Sequence, residues 1–147
     1  MPPVVTLQEI TSETVRSVVK LDVAPDQREY VARNAESIAE AYFEPKAWFR
    51  AVAAGDELVG FAMVYRDPRA REFYIWRFMI DEHHQGHGYG RRAMELLADE
   101  ARKDGAAAVT LSVVPGERSA RDFYARLGYE ETGELHRGEL EMRLPLT

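Results

Sequence analysis

Glycine occupies every second position in Gln85-Gly86-His87-Gly88-Tyr89-Gly90, and a helix with regular apolar spacing follows at Arg91. Only proline is a poorer helix former, so the backbone here must be wanted for something other than helicity. A strand, a tight glycine-rich turn and a helix N-terminus together make an anion site. Unpaired N–H groups converge there, and the helix dipole adds partial positive charge. Glycines at 86, 88 and 90 let the main chain wrap closely around phosphate oxygens without Cβ clashes. The chemistry implied is phosphate or pyrophosphate binding, with a plain strand-to-helix turn as the alternative. The spacing is neither the Walker pattern G-x-x-x-x-G-K-[ST] nor G-x-G-x-x-G after a first strand.

Two other kinds of chemistry are disfavoured by the residues at hand. His83, His84 and His87 flank the turn without an arrangement such as H-E-x-x-H, so no metal is expected. The chain contains no cysteine. That excludes disulfides, cysteine-ligated zinc and a thiol nucleophile, and it suits a reducing cytoplasm.

The elements that must position the loop follow from local pattern. Val4–Ile10 alternates as a short strand, and a helix is expected from Ser12 as N-cap, with Val15, Val18 and Val19 on one face. A loop around Pro25 leads to a second helix starting at Asn34 and grouping Ile38, Ala41 and Tyr42. Two strands then meet at Gly55-Asp56, a hairpin signal, and a third strand runs from Glu72 to Asp81. The helix from Arg91 to about Asp104 closes at Gly105. A strand, Ala108–Val114, precedes a helix carrying Ala120, Phe123, Tyr124 and Leu127, which Gly128 ends. An antiparallel pair completes a mixed α/β chain read as one domain, residues 1–147.

Apolar residues make up 46% of the chain and charged ones 30%, enough to bury a core. A net charge of −6 argues against a nucleic-acid partner, and it is compatible with a cationic substrate or with solubility alone. No apolar run is long enough to span a membrane, and the start lacks the basic and apolar regions of a signal peptide. No membrane partner is expected, and the expected location is cytoplasmic.

Three segments carry a family resemblance. Gln85–Gly90 is similar to the Q/R-x-x-G-x-G/A signature of the GCN5-related N-acetyltransferase (GNAT) superfamily. Trp76–Asp81 resembles its central strand, and Ser119–Tyr129 its A-x-x-x-Y-x-x-x-G-[FY] helix. The element order agrees over nearly the whole chain. More narrowly, residues 76–94 and 23–42 look like the branch of bacterial spermine/spermidine (diamine) acetyltransferases.

The resemblance implies a GNAT fold of the α/β class: a mixed, mostly antiparallel central sheet splayed in a V and flanked by about four helices. It implies acetyl-CoA as cosubstrate, no metal, and direct attack of a primary amine on the thioester. Gln85, Gly86, His87, Gly88, Tyr89, Gly90 and Arg91 would hold the pyrophosphate. A bulge around Phe78, Met79 and Ile80 would splay that strand from Ala108–Val114 and free its amides for the pantetheine arm. Ala120 would face the cofactor, and the Tyr124 hydroxyl would protonate the departing thiolate.

Where the family often has a pantetheine-binding Asn, this chain has Glu117, which puts that contact in doubt. The base is taken as Glu72, with Asp81, Glu82, Glu29 and Glu36 as further candidates and ordered water as an alternative to any of them. Arg77 either orients a carboxylate or forms an interior ion pair. Tyr30, Tyr42 and Trp76 offer a cation-accepting aromatic wall or simple core packing, and the acceptor site is taken as Tyr30, Glu36 and Trp76. The expected reaction is acetylation of a small-molecule amine, a polyamine first. The alternatives are an aminoglycoside-like drug, a protein N-terminus, or a non-catalytic acetyl-CoA-sensing module. A homodimer is a family-level expectation.

Overall fold

The computed structural model describes residues 2–28, 30–116 and 119–146. Its elements are β1 (Val5–Gln8), α1 (Val15–Lys20), α2 (Asn34–Ala41), β2 (Ala47–Ala54), β3 (Glu57–Asp67), β4 (Glu72–Ile80), α3 (Tyr89–Lys103), β5 (Ala108–Val113), α4 (Arg121–Arg126), β6 (Glu130–His136) and β7 (Glu139–Pro145). Short turns at Pro25–Gln27 and Glu82–His84 fill two of the connections.

The strands form one seven-stranded sheet in the order β1-β2-β3-β4-β5-β7-β6. Every neighbouring pair is antiparallel except β4 with β5. Parallel neighbours need a long crossover, and α3 supplies it. Ala93, Met94, Leu97, Ala98 and Ala101 recur at helical spacing and are all buried. Met94, Leu97, Ala98 and Ala101 pack with Phe73, Ile75, Val109 and Leu111 on one face of the sheet, and Ala93 joins Val5, Val52 and Val59. Burying a side chain such as Leu97 is worth about 1.5–3 kcal/mol, whereas glycine inside a helix costs about 1 kcal/mol. Packing therefore wins, and α3 starts at Tyr89, two residues ahead of the expected start, with Gly90 inside it. On the opposite face Val18 of α1 meets Phe61, Met63 and Met79, with Ile38 of α2 against them.

Four local expectations are corrected. Ser12 does not cap α1: Thr14 takes that place, and its Oγ1 accepts the Thr11 N–H at 2.8 Å. Asn34 is not a cap either. It is buried, and its Nδ2 donates to the Val18 carbonyl at 2.9 Å, tying α1 to α2. Tyr42 is 84% exposed, so it does not join Ile38 and Ala41 in packing. The bulge lies earlier than expected. Met63 pairs with Arg77 and Val64 with Ile75, which leaves Trp76 as the extra residue of β4.

That extra residue shapes the molecule. β4 and β5 stay in register at only two rungs, Tyr74 with Thr110 and Ile75 with Leu111. Beyond them the strands part, as expected where a bulge bends one strand and disrupts the ladder. The sheet is thus the V-shaped, mostly antiparallel α/β architecture, with four α-helices among the described residues. No helix among the described residues is long and apolar enough to cross a membrane.

Candidate active site

The parting of β4 from β5 opens a cleft of about 920 Å³, walled by both strands, the start of α3, α4 and the segment before α2. Its floor is the β4 edge from Trp76 to Ile80, which includes the expected Phe78, Met79 and Ile80. Past Ile75 no β5 rung pairs with this edge.

The loop after β4 is built by its own side chains. Asp81 is buried and accepts N–H groups from Asp22 at 2.9 Å and from His83 at 3.2 Å. That engagement makes it a structural turn residue rather than a base. Gln85 folds back, its Nε2 donating to the Ile80 carbonyl at 2.9 Å and to Gln27 Oε1 at 3.2 Å. Gly86 and Gly88 hold φ of 84° and 81°, a left-handed conformation that side-chain-bearing residues resist. Gly88 is the N-cap of α3 and offers no side-chain oxygen, and the first turn contains no acid. The N–H groups of that turn are thus left for an external acceptor. Gly86, Gly88, Tyr89 and Arg91 all line the cleft.

Two loop residues have further neighbours. Gly90 lines the cleft, but a Cβ there would meet Phe123 Cζ at 3.2 Å and Ile80 Cγ1 at 3.5 Å. Its bareness also seats α3 on α4. His87 is exposed and absent from the cleft wall, with its ring 5.4 Å from that of Tyr89.

Across the cleft, Ala120 caps α4 and lines the wall together with Phe123 and Tyr124. Tyr124 is 7% exposed, and burial pushes its phenol well above the usual range. Its ring packs edge-on to Phe123 at 5.1 Å and to Tyr129 at 5.8 Å. A phenol so placed stays protonated at neutral pH, the form that a proton donor must have.

The third wall comes from the N-terminal segment. Tyr30 and Glu36 both line the cleft, and a Cβ at Gly116 would stand 2.6 Å from Tyr30 Oη. Tyr30 thus reaches the loop that follows β5. Trp76 also lines the cleft, whereas Tyr42 does not. Arg77 forms an ion pair, but at the surface and not in the interior as foreseen: Nη2 lies 3.3 Å from Glu40 Oε1 with both side chains partly exposed, and Nη1 donates to the Trp76 carbonyl at 3.1 Å.

Glu72 is not on this cleft. It is exposed at the outer end of β4, on a separate hollow of about 980 Å³. Four residues before Trp76 correspond to about 13 Å of strand, which removes it from the reacting groups. Glu82 lies 3.6 Å from His83, and His84 lies 3.7 Å from Glu57. No group of three His, Cys, Asp or Glu able to hold a metal occurs among the described residues. Glu29 and Glu117 lie outside the described residues.

Sequence reasoning missed Ser112 and Glu139, which both line the cleft. Ser112 Oγ accepts the Tyr74 hydroxyl at 2.8 Å. Nothing local marks Glu139, because it reaches the site only through the insertion of β7 beside β5.

The parts fit a long, amide-rich cofactor with an anionic end. Uncapped helical amides with Arg91 suit a pyrophosphate, an unpaired strand edge suits a peptide-like arm, and a protonated phenol faces the same cleft. Comparison with known proteins agrees. A family model described as "Acetyltransferase (GNAT) family" matches residues 8–129. The chain is similar to a probable spermine N(1)-acetyltransferase of Bacillus subtilis subsp. natto (strain BEST195), 27% identical over 142 residues, covering 89% of this chain and 91% of that one. Among solved structures it resembles an acetyltransferase from Thermus thermophilus, with a TM-score of 0.77, 20% identity and coverage of 99% of this chain and 100% of the other. It also resembles the PaiA N-acetyltransferase of Thermoplasma acidophilum in complex with coenzyme A, with a TM-score of 0.74, 13% identity and coverage of 97% and 99%. With the family match spanning both the glycine loop and the Tyr124 helix, the chain belongs to the GNAT family of acetyl-CoA-dependent N-acetyltransferases.

Proposed function

We propose that this enzyme acetylates a primary amine of a small polycation, with spermidine or spermine as the leading acceptors. The observation that carries an active enzyme, as opposed to a module that only senses acetyl-CoA, is Tyr124. A sensor needs the glycine loop, but it has no use for a buried phenol on the same cleft.

In this reading the backbone of Gly86–Arg91 holds the pyrophosphate, and the amides of Phe78, Met79 and Ile80 receive the amide arm and steady the developing oxyanion. Acetyl-CoA supplies the activated acetyl group. Tyr124 gives its proton to the sulfur as the amine takes the acyl carbon. Tyr30, Trp76 and Glu36 hold the acceptor, aromatic faces and a carboxylate being suited to alkylammonium groups. The polyamine assignment draws support from the 27% identical spermine acetyltransferase and from Glu36 on the cleft wall.

The deciding assay follows CoA release with spermine, spermidine, putrescine, kanamycin and a peptide with a free N-terminus. Preference for spermine and spermidine is the expected result. Preference for kanamycin or the peptide overturns the polyamine reading and leaves acetyl transfer intact.

A further inference from the structure

The main cleft and the outer hollow share four wall residues, Trp76, Arg77, Ser112 and Glu139. These four mark the passage between the two at the point where β4 leaves β5. Among the described residues, Glu139 is the only carboxylate in the passage. It opens β7, one residue before the rung that joins Leu140 to Val113, the last residue of β5.

The other described acids near the cleft have employment or lie elsewhere. Asp81 is held by two backbone N–H groups, Glu82 sits by His83, Glu40 is paired with Arg77, and Glu72 is confined to the outer hollow. Glu36 lines the main cleft but not the outer hollow, from the α2 wall. The Glu139 carboxylate has no hydrogen-bond or ion-pair partner among the described residues. Half-buried and lining both cavities with Ser112, whose Oγ accepts the Tyr74 hydroxyl, it is the acid left free there among the described residues.

From this geometry we infer that Glu139 is the general base that deprotonates the acceptor amine. The inference rests on amine acetylation in this cleft and not on which amine is used. An ammonium acceptor gives one proton to Glu139, and its nitrogen lone pair then forms the N–C bond as the C–S bond breaks. Tyr124 protonates the sulfur, and the second proton shed by nitrogen restores Tyr124. The proton on Glu139 leaves to solvent through the outer hollow. One ammonium and one thioester thus yield one amide, one thiol and one released proton.

The test is Glu139→Gln in the full chain, assayed with spermidine. If wild type does not use spermidine, the amine it turns over fastest in the panel above takes its place. That outcome bears on the acceptor alone. At about pH 7.5 kcat should fall roughly 10²–10⁴-fold, while CoA affinity by calorimetry stays at the wild-type value. The deficit should shrink about tenfold per pH unit toward pH 10, as the amine loses its proton unaided. Glu36→Gln should raise acceptor KM without that pH signature. If the Gln variant does not fold, Glu139→Asp, which shortens the reach of the carboxylate, should show a smaller deficit of the same pH form. A deficit that is absent, or constant with pH, in whichever variant folds overturns the assignment.

Discussion

Tyr124 keeps its proton because burial deprives a phenolate of solvation, not because a hydrogen-bond partner holds it. Its ring, wedged by Phe123 and Tyr129, stays in place when the hydroxyl is removed. Tyr124→Phe should therefore bind CoA with unchanged affinity and lose about 10²–10⁴-fold in kcat, read by steady-state kinetics under chemistry-limited conditions. The last two glycines of the loop should fail for different reasons. Gly88→Val meets open space but forces a branched side chain to φ of 81°, a conformation costing about 1–2 kcal/mol. Gly90→Val drives into the Phe123 ring. Calorimetric titration with CoA should show weakened binding in both, with Phe123→Leu restoring affinity only to the Gly90 variant.

The β6–β7 hairpin, which carries Glu139, has its own acid-sensitive clasp. His136, hydrogen-bonded to Glu141, holds that carboxyl below its usual range, and Thr132 helps. A depressed carboxyl stabilises the fold above its ordinary value of 4.5 and loses that contribution as pH falls through the folded-state value. Hydrogen exchange should show hairpin amides opening below about pH 4.5, ahead of the β2–β3 pair, and Glu141→Gln should abolish the pH step. Much at this scale was legible in the residues alone. Gly55-Asp56 turns a hairpin, α3 shows its apolar stripe, and Gly105 ends that helix at φ of 73°. What was not legible is non-local. Either strand of the final hairpin has the composition to lie beside β5, so the β5-β7-β6 order had no sequence signal, and Glu139 was hidden with it. Trp76 reads as another aromatic in an apolar strand, and only its partners on β3 reveal the slip. Glu72 looked like a strand acid near the chemistry because sequence proximity to Trp76 conceals about 13 Å of extended chain.

The whole molecule carries a net charge of −6, so a polycation approaches a protein of opposite sign. Charge attraction at an open site is screened by salt. KM for spermidine should therefore rise with ionic strength at saturating acetyl-CoA, with KM for acetyl-CoA measured alongside. A monoamine of equal chain length should bind more weakly and respond less to salt. Equal use of the monoamine would leave the acceptor as small amines in general. The extra residue at Trp76 has a further consequence for the architecture. Phe78 and Ile80 pack toward α3 and Met79 toward α1, an alternation out of phase with Phe73 and Ile75 by that single residue. Deleting Trp76 restores an unbroken two-residue repeat without turning any of those side chains to the other face. β4 is then free to run on beside β5 and zip the slot shut. The expected product is a folded chain with added amide protection along β5 and no affinity for CoA. Scaffold and catalyst are in that sense separable, and what divides them is one amino acid in the middle of a strand.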